Sequence, residues 1–186
     1  MPFRLLGIVP DLESLEEIGG PTLRRYARTG VAVSVACASG ADPGRLSARA
    51  DLLGIQNLIL LDYRPAERDS ASLADLLTDI QRALRPHVVV VAGDQAMVSA
   101  GKAAFMAARA VSGKGGSLPA KLYVPVGSPS AEISTLLRAG ARPDGSQVAF
   151  RRLFPSPWVT GVVERDLFAG TADEGEPPAP LERLAG

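Results

Sequence analysis

Histidine and cysteine are nearly lacking from this sequence, which has one of each among its 186 residues. The single cysteine, Cys37, excludes an internal disulfide and favours a cytosolic protein. It lies in a predicted buried strand, so a structural thiol is expected rather than a reactive one. The single histidine, His87, stands at the start of a predicted strand, at the end opposite to where a parallel sheet binds ligands. A histidine-based zinc site within one chain is therefore excluded, and a Ser-His-Asp or Cys-His site is disfavoured.

Excess charge and long apolar runs are lacking as well. Lys and Arg together number 20, as do Asp and Glu, so the formal net charge is zero. This balance argues against binding to nucleic acid or to an anionic membrane surface. No apolar run approaches the roughly 20 residues of a membrane span. The first residues also lack the basic and apolar regions of a signal peptide. We expect a soluble cytoplasmic protein.

Short apolar runs alternate with segments of helical periodicity along the chain. The pattern predicts strands at 5–9, 31–37, 58–61, 87–92 and 121–126, and helices at 16–28, 45–53, 71–84, 99–111 and 131–139. Four successive valines at 88–91 are typical of a central parallel strand that is buried on both faces. A further edge strand is predicted at 147–153. This alternation predicts a three-layer α/β/α sandwich with a Rossmann-like, mostly parallel sheet.

The length predicts one domain with a substantial core, which we place at residues 1–170. Residues 171–186 are rich in Pro, Glu and Ala and form a predicted tail. If this tail is ordered, it must pack against something, and a neighbouring subunit is one choice. We therefore expect a homo-oligomer, with Phe154, Trp158 and Phe168 near an interface. The alternative is that these aromatic residues close the core of a single chain.

Three loops follow the carboxyl ends of predicted strands, which is where open parallel sheets bind their ligands. These loops span residues 10–14, 62–66 and 93–98, and they offer four carboxylates: Asp11, Glu13, Asp62 and Asp94. A carboxylate cluster can bind a hard cation or act as an acid/base pair. The alternative is that Asp11 and Glu13 cap the helix that follows. We favour capping, because Leu12 and Met97 interrupt the cluster. Together with Pro10, these residues form the predicted pocket.

Several segments follow one another in an order that is shared with a known family. They are IVPDLESLEEIGGPTLRRYARTGVAVSVACASG, LLGIQNLILLD, ALRPHVVVVAG, AGKAAFMAARA, KLYVPVGSPS and ERDLFAG. The first resembles the A-H-P-D-D-E motif and the G-G-T-L helix of the LmbE-like (PIG-L) N-acetylglucosaminyl deacetylase family. The others resemble later strands of that family and the helix after its H-P-D-H motif. The resemblance covers most of the chain and implies the LmbE-like fold.

The resemblance also implies where this family binds zinc and performs catalysis. Two His and one Asp hold the zinc in the family, and a neighbouring Asp is the general base. In this chain the two His positions fall on Val9 and Met97, and the Asp ligand position falls on Leu12. Only Asp11, at the base position, and the acidic Glu13 keep their type. Valine and leucine offer no lone pair, and a thioether suits catalytic zinc poorly. The resemblance therefore implies the fold without the zinc, and Asp11 is a vestigial base.

Three functions remain open from the sequence. The first is a catalytically inactive LmbE-like protein with a role in binding or assembly, whose partner is a small molecule or a protein. The second is a deacetylase or amidase that acts on an N-acetyl sugar-type substrate through an altered, non-family metal site built on Asp11, Glu13 and Asp94. The third is a small-ligand or nucleotide-binding module at the same edge of the sheet. The loss of all three ligand types favours the first.

Overall fold

The computed structural model describes residues 2–11, 14–15, 18, 20–39, 42–63, 70–111, 119–126, 149–154, 163–164 and 167–168. The strands are β1 (Arg4–Val9), β2 (Ala32–Cys37), β3 (Asn57–Leu60), β4 (Val88–Val91), β5 (Lys121–Val126), β6 (Ala149–Phe154) and β7 (Val163–Glu164). The helices are α1 (Gly20–Arg28), α2 (Pro43–Leu53), α3 (Ser70–Leu84) and α4 (Gln95–Val111).

The strands form a single sheet in the order β3-β2-β1-β4-β5-β6-β7. Strands β1 to β5 are parallel, whereas β6 and β7 are antiparallel to their neighbours. The middle strands β1 and β4 pair directly, with Ile8 beside Val91. All four valines of β4 are buried, as the uninterrupted apolar run predicts. The predicted Rossmann-like, mostly parallel sheet is confirmed.

A hydrophobic layer lies on each side of the sheet. One layer packs α1 and α2 through residues such as Leu23, Tyr26 and Leu53. The other layer packs α3 and α4 through residues such as Leu77 and Phe105. Alternate side chains of each strand pack into the two layers, because successive residues of a strand point to opposite faces. The predicted three-layer architecture follows from this arrangement.

The main boundary correction concerns α4. The sequence predicts a helix at 99–111, but α4 begins at Gln95 because the Asp94 carboxylate accepts a hydrogen bond from the Met97 backbone N–H at 2.9 Å. Residues 95–98 of the predicted loop at 93–98 therefore form the first turn of a helix. The strand predicted at 147–153 is present as β6. It is not at the edge, however, since β7 pairs with its outer side.

Smaller corrections affect other boundaries. Strand β3 begins one residue before the predicted 58. The first crossover helix is described from Gly20, and residues 16, 17 and 19 of the predicted helix lie outside the described part. Helix α2 begins at Pro43, since the Asp42 carboxylate accepts a hydrogen bond from the Arg45 N–H, and it ends at Leu53 as predicted, with Gly54 as its left-handed C-cap. The predicted helix at 131–139 and the tail at 171–186, and with them the boundary of the domain, lie outside the described residues.

Residues from the two ends of the chain meet near the amino ends of the strands. Phe168 is buried and contacts the rings of Phe3 and Tyr26 edge-on, at centroid distances of 5.0 and 5.2 Å. The Tyr26 hydroxyl accepts a hydrogen bond from the Leu167 N–H at 2.8 Å. Phe168 was expected near an interface, with packing in the core of a single chain as the alternative. The structure shows the alternative, since this ring is buried within one chain. Trp158 and the Phe154 side chain lie outside the described part.

His87 has a structural role at this same end of the sheet. Its ring contacts Phe3 edge-on at 5.1 Å, and its Nδ1 accepts a hydrogen bond from the Arg4 backbone N–H at 3.1 Å. The side chain is buried. It lies at the amino end of β4, as predicted. No helix in the described part of the chain combines the length and hydropathy of a membrane span.

Candidate functional site

The loops that follow β1, β2 and β4 are joined by backbone hydrogen bonds. The Ser39 N–H donates to the Pro10 carbonyl at 2.7 Å, which extends the pairing of β1 and β2 beyond their carboxyl ends. On the other side of β1, the Ala92 N–H donates to the Ile8 carbonyl at 2.9 Å. Pro10 is thus fixed between the segments that follow β2 and β4. The topology brings together the first and last of the three predicted loops.

Gly93 and Pro10 make the closest contact between these loops. Gly93 has φ +121°, a conformation that side chains rarely adopt. A Cβ atom at this position would lie 2.9 Å from Pro10 Cδ and 3.3 Å from Met97 Cβ. The proline ring is rigid and cannot move aside as a flexible side chain would. The backbone after β4 therefore passes against Pro10 with no room for a methyl group.

The Asp11 and Asp94 carboxylates both serve as helix caps. Oδ1 of Asp11 accepts a hydrogen bond from the Ser14 N–H at 2.8 Å, at the start of a helical turn. Oδ1 of Asp94 accepts one from the Met97 N–H in the first turn of α4. A side-chain oxygen at the N-cap satisfies an otherwise unpaired backbone donor. The capping alternative therefore holds for Asp11, and it extends to Asp94. Glu13 lies outside the described residues.

Asp62 lies in the loop after β3. Its backbone has φ 45°, a left-handed conformation that aspartate tolerates better than most residues. The next side chain, Tyr63, is buried, and its N–H donates to the Ala38 carbonyl at 2.7 Å. This bond ties the third loop to the segment after β2. The Asp62 side chain is exposed.

Apolar side chains occupy two positions where the family resemblance implies ligands. Met97 is 5% exposed and belongs to the hydrophobic layer that contains Ile8, Tyr63 and Leu73. Val9 is fully buried in the opposite layer. The two side chains thus belong to the cores on opposite faces of the sheet. Leu12, at the third ligand position, lies outside the described residues.

The Cys37 thiol lies close to the first loop, with Sγ 4.0 Å from the Pro10 carbonyl oxygen. The sequence did not predict this proximity. The thiol donates a hydrogen bond to the Ser39 carbonyl, with a distance of 3.1 Å from Sγ to the oxygen. Burial raises the pKa of Cys37 to about 11; the hydrogen bond with Ser39 lowers this pKa and the nearby negative charge of Asp11 raises it. The thiol is therefore protonated at neutral pH. It is a buried structural group, as the strand pattern predicts.

These donors do not fit a zinc ion. Zinc sites use deprotonated thiolates, neutral imidazoles or carboxylates, with at least three of them converging. In the described ranges, no three His, Cys, Asp or Glu side chains lie close enough to hold a metal. Cys37 keeps its proton, and His87 lies at the other end of the sheet. Each capping carboxylate has one oxygen engaged with the backbone.

Sequence comparisons give no relative, since no family model and no curated protein matches this chain. Solved structures do match. An N,N'-diacetylchitobiose deacetylase from Pyrococcus horikoshii superposes with a TM-score of 0.55 and 17% identity over 74% of this chain and 67% of that one. The conserved protein TT1542 from Thermus thermophilus superposes with a TM-score of 0.57 and 19% identity, over 73% of this chain and 76% of that one. The 4-carboxy-2-hydroxymuconate hydratase GalB from Pseudomonas putida superposes with a TM-score of 0.54 and 15% identity, over 67% of this chain and 66% of that one.

These neighbours define the class of fold. The chain has the LmbE-like α/β fold that its sequence resemblance implies. Identities below 20% show the shared fold and nothing about shared chemistry. The matched part spans about two thirds of the hydratase and of the chitobiose deacetylase.

Proposed function

We propose that this chain is an LmbE-like protein that has lost zinc-dependent hydrolysis and works by binding or assembly. The observation that carries the proposal is the position of Met97, whose side chain packs into the hydrophobic layer at a place where a zinc ligand would be needed. A buried thioether neither activates water nor binds a hard cation. With no metal, Asp11 has no activated water to deprotonate, and a carboxylate alone does not cleave an amide.

The capping geometry supports the same proposal. The Asp11 and Asp94 carboxylates stabilise the starts of helical segments, so their presence is explained without catalysis. The contact between Gly93 and Pro10 leaves no space for a methyl group between the loops that flank β1 and β4. A metal centre with an open coordination position needs space for water and substrate. At Pro10 and Gly93 the two loops instead pack against each other.

The test is acetate release from N,N'-diacetylchitobiose, the substrate named for one structural neighbour. The purified protein is assayed with Zn²⁺, Mg²⁺ or Mn²⁺ added in turn. The Asp11→Asn variant is the matched control, because asparagine still caps a helix but cannot act as a base. We expect no turnover above the control with any cation. Turnover that the substitution abolishes would contradict the proposal. If that turnover required Mg²⁺ or Mn²⁺, it would support a hydrolase with an altered metal site.

A further inference from the structure

Strand β3 is an edge strand of the described sheet and carries no residue of the kinds that commonly block strand pairing. Residues 57–61 read Asn-Leu-Ile-Leu-Leu, with no charge, proline or glycine. In the part of the chain that the structure describes, β2 is the only strand that pairs with β3. Exposed edges are normally blocked by charges, prolines or bulges, because their free backbone groups pair with other strands. This edge carries none of these features.

The hydrogen-bond pattern shows which backbone groups point outward. The Ala32 N–H donates to the carbonyl of Phe3, just before β1, and the Ala38 N–H donates to the carbonyl of Val9, the last residue of β1. The even-numbered residues of β2 therefore face β1, and the odd-numbered residues face β3. Among these is Cys37, whose carbonyl accepts a hydrogen bond from the Leu61 N–H at 3.0 Å. Since the direction alternates along a strand, the N–H and C=O groups of Leu58 and Leu60 point away from β2. They form the free edge.

Both hydrophobic layers also end at this strand. Leu58 packs partly against the layer of α1 and α2, and Ile59 packs partly against the layer of α3 and α4. Leu60 is 39% exposed. It lies on the same face as Leu58, two residues away. A partner at this edge would therefore need to supply a strand with apolar side chains on both faces.

We propose that the partner is β3 of a second copy of this chain, paired antiparallel about a two-fold axis normal to the sheet. In the register centred on Ile59, Leu58 of one copy lies opposite Leu60 of the other, and the two Ile59 residues face each other. Both leucine pairs are then hydrogen-bonded pairs, which gives four bonds between the copies from the outward groups. Each exposed Leu60 packs beside a Leu58, and each hydrophobic layer continues into the partner.

When β3 pairs with β3 of another copy, both copies use the same surface. Such an isologous contact closes as a dimer. This favours a second copy over an unrelated chain. The inference places the expected homo-oligomer on β3, away from Phe168, which is buried within the chain. It is independent of the proposed function, since β3 is separated from β1 by β2.

The test is the solution mass of the full chain by light scattering, with Leu60→Lys as the disrupting variant. A lysine there is tolerated by the monomer, because the position is already partly exposed. Met106→Lys on α4 is the matched control, since Met106 is the other large exposed hydrophobic residue of the described chain, at 52%. We expect wild type and Met106→Lys to have twice the 19.4 kDa chain mass, and Leu60→Lys to have that of one chain. A monomeric wild type, or a dimer that survives Leu60→Lys, would overturn the proposal.

Amide hydrogen exchange of the wild-type protein is a second test, and it does not depend on whether a variant folds. In the dimer, the Leu58 and Leu60 amides are protected as well as those of Gln56 and Leu61, which donate to carbonyls of β2. In a monomer with a free edge, only Gln56 and Leu61 of these four are protected. Protection of all four in a protein of monomer mass would show that another segment of the same chain covers β3, which would also overturn the proposal.

Discussion

Replacing Gly93 with alanine probes the contact between the loops after β1 and β4. The added Cβ would lie 2.9 Å from Pro10 Cδ, and the backbone would keep a φ of +121°. A sparsely populated backbone conformation costs about 1–3 kcal/mol. Overpacking against a rigid neighbour costs about 1–3 kcal/mol more. We therefore expect Gly93→Ala to lower the free energy of unfolding by roughly 3–5 kcal/mol.

Gly30→Ala is the matched control. Gly30 also has a positive φ, +86°, but nothing lies within 4 Å of a Cβ placed there. Gly30→Ala should therefore lower the free energy of unfolding only through backbone strain, by about 1–2 kcal/mol. Urea unfolding of both variants, with an unchanged m-value, measures the difference. If Gly93→Ala costs no more than Gly30→Ala, the two loops do not touch and the packing of the candidate site has been misread.

Three further predictions concern stability. Asp94→Ala should cost about 1 kcal/mol in urea unfolding through loss of the α4 cap, whereas Asp94→Asn should cost much less. The pKa of Cys37, raised to about 11 by burial, adds stability below pH 9 that is lost as the pH rises towards 11. Between these pH values wild type should therefore lose about 2–3 kcal/mol relative to Cys37→Ala, and parallel pH profiles would contradict this. Gln81 is buried, and neither atom of its side-chain amide has a partner in the described structure. Gln81→Met should therefore raise the free energy of unfolding by about 1–2 kcal/mol, and a loss would refute the reasoning.

The positions of β1 to β6 were predictable because apolar runs are local features of the sequence. The four valines of β4 and the stop at Pro10 locate the carboxyl edge of the sheet without any structure. The start of α4 was also within reach, since Asp94 three residues before Met97 has the spacing of an N-cap. Placing Asp94 and the residues up to 98 in a loop made the predicted loop longer than the one in the structure.

Other features depend on the register between strands and could not be predicted. The contact between Gly93 and Pro10 exists because β1 and β4 are neighbours with a fixed offset. The position of Cys37 under the first loop depends on the pairing of β1 with β2. Phe168 was expected near an interface because nothing local to it indicates that Tyr26, 142 positions earlier, provides its contact. Long-range packing of this kind leaves no periodic signal.

The measurement that tests the central claim most directly is the zinc content of the purified protein. The chain is dialysed to equilibrium against Zn²⁺, then against metal-free buffer, and the bound metal is counted by mass spectrometry. Because Val9 and Met97 place buried apolar side chains where the family resemblance implies zinc ligands, we predict far less than one zinc per chain. One tightly held zinc per chain, released by Asp11→Asn, would contradict the account.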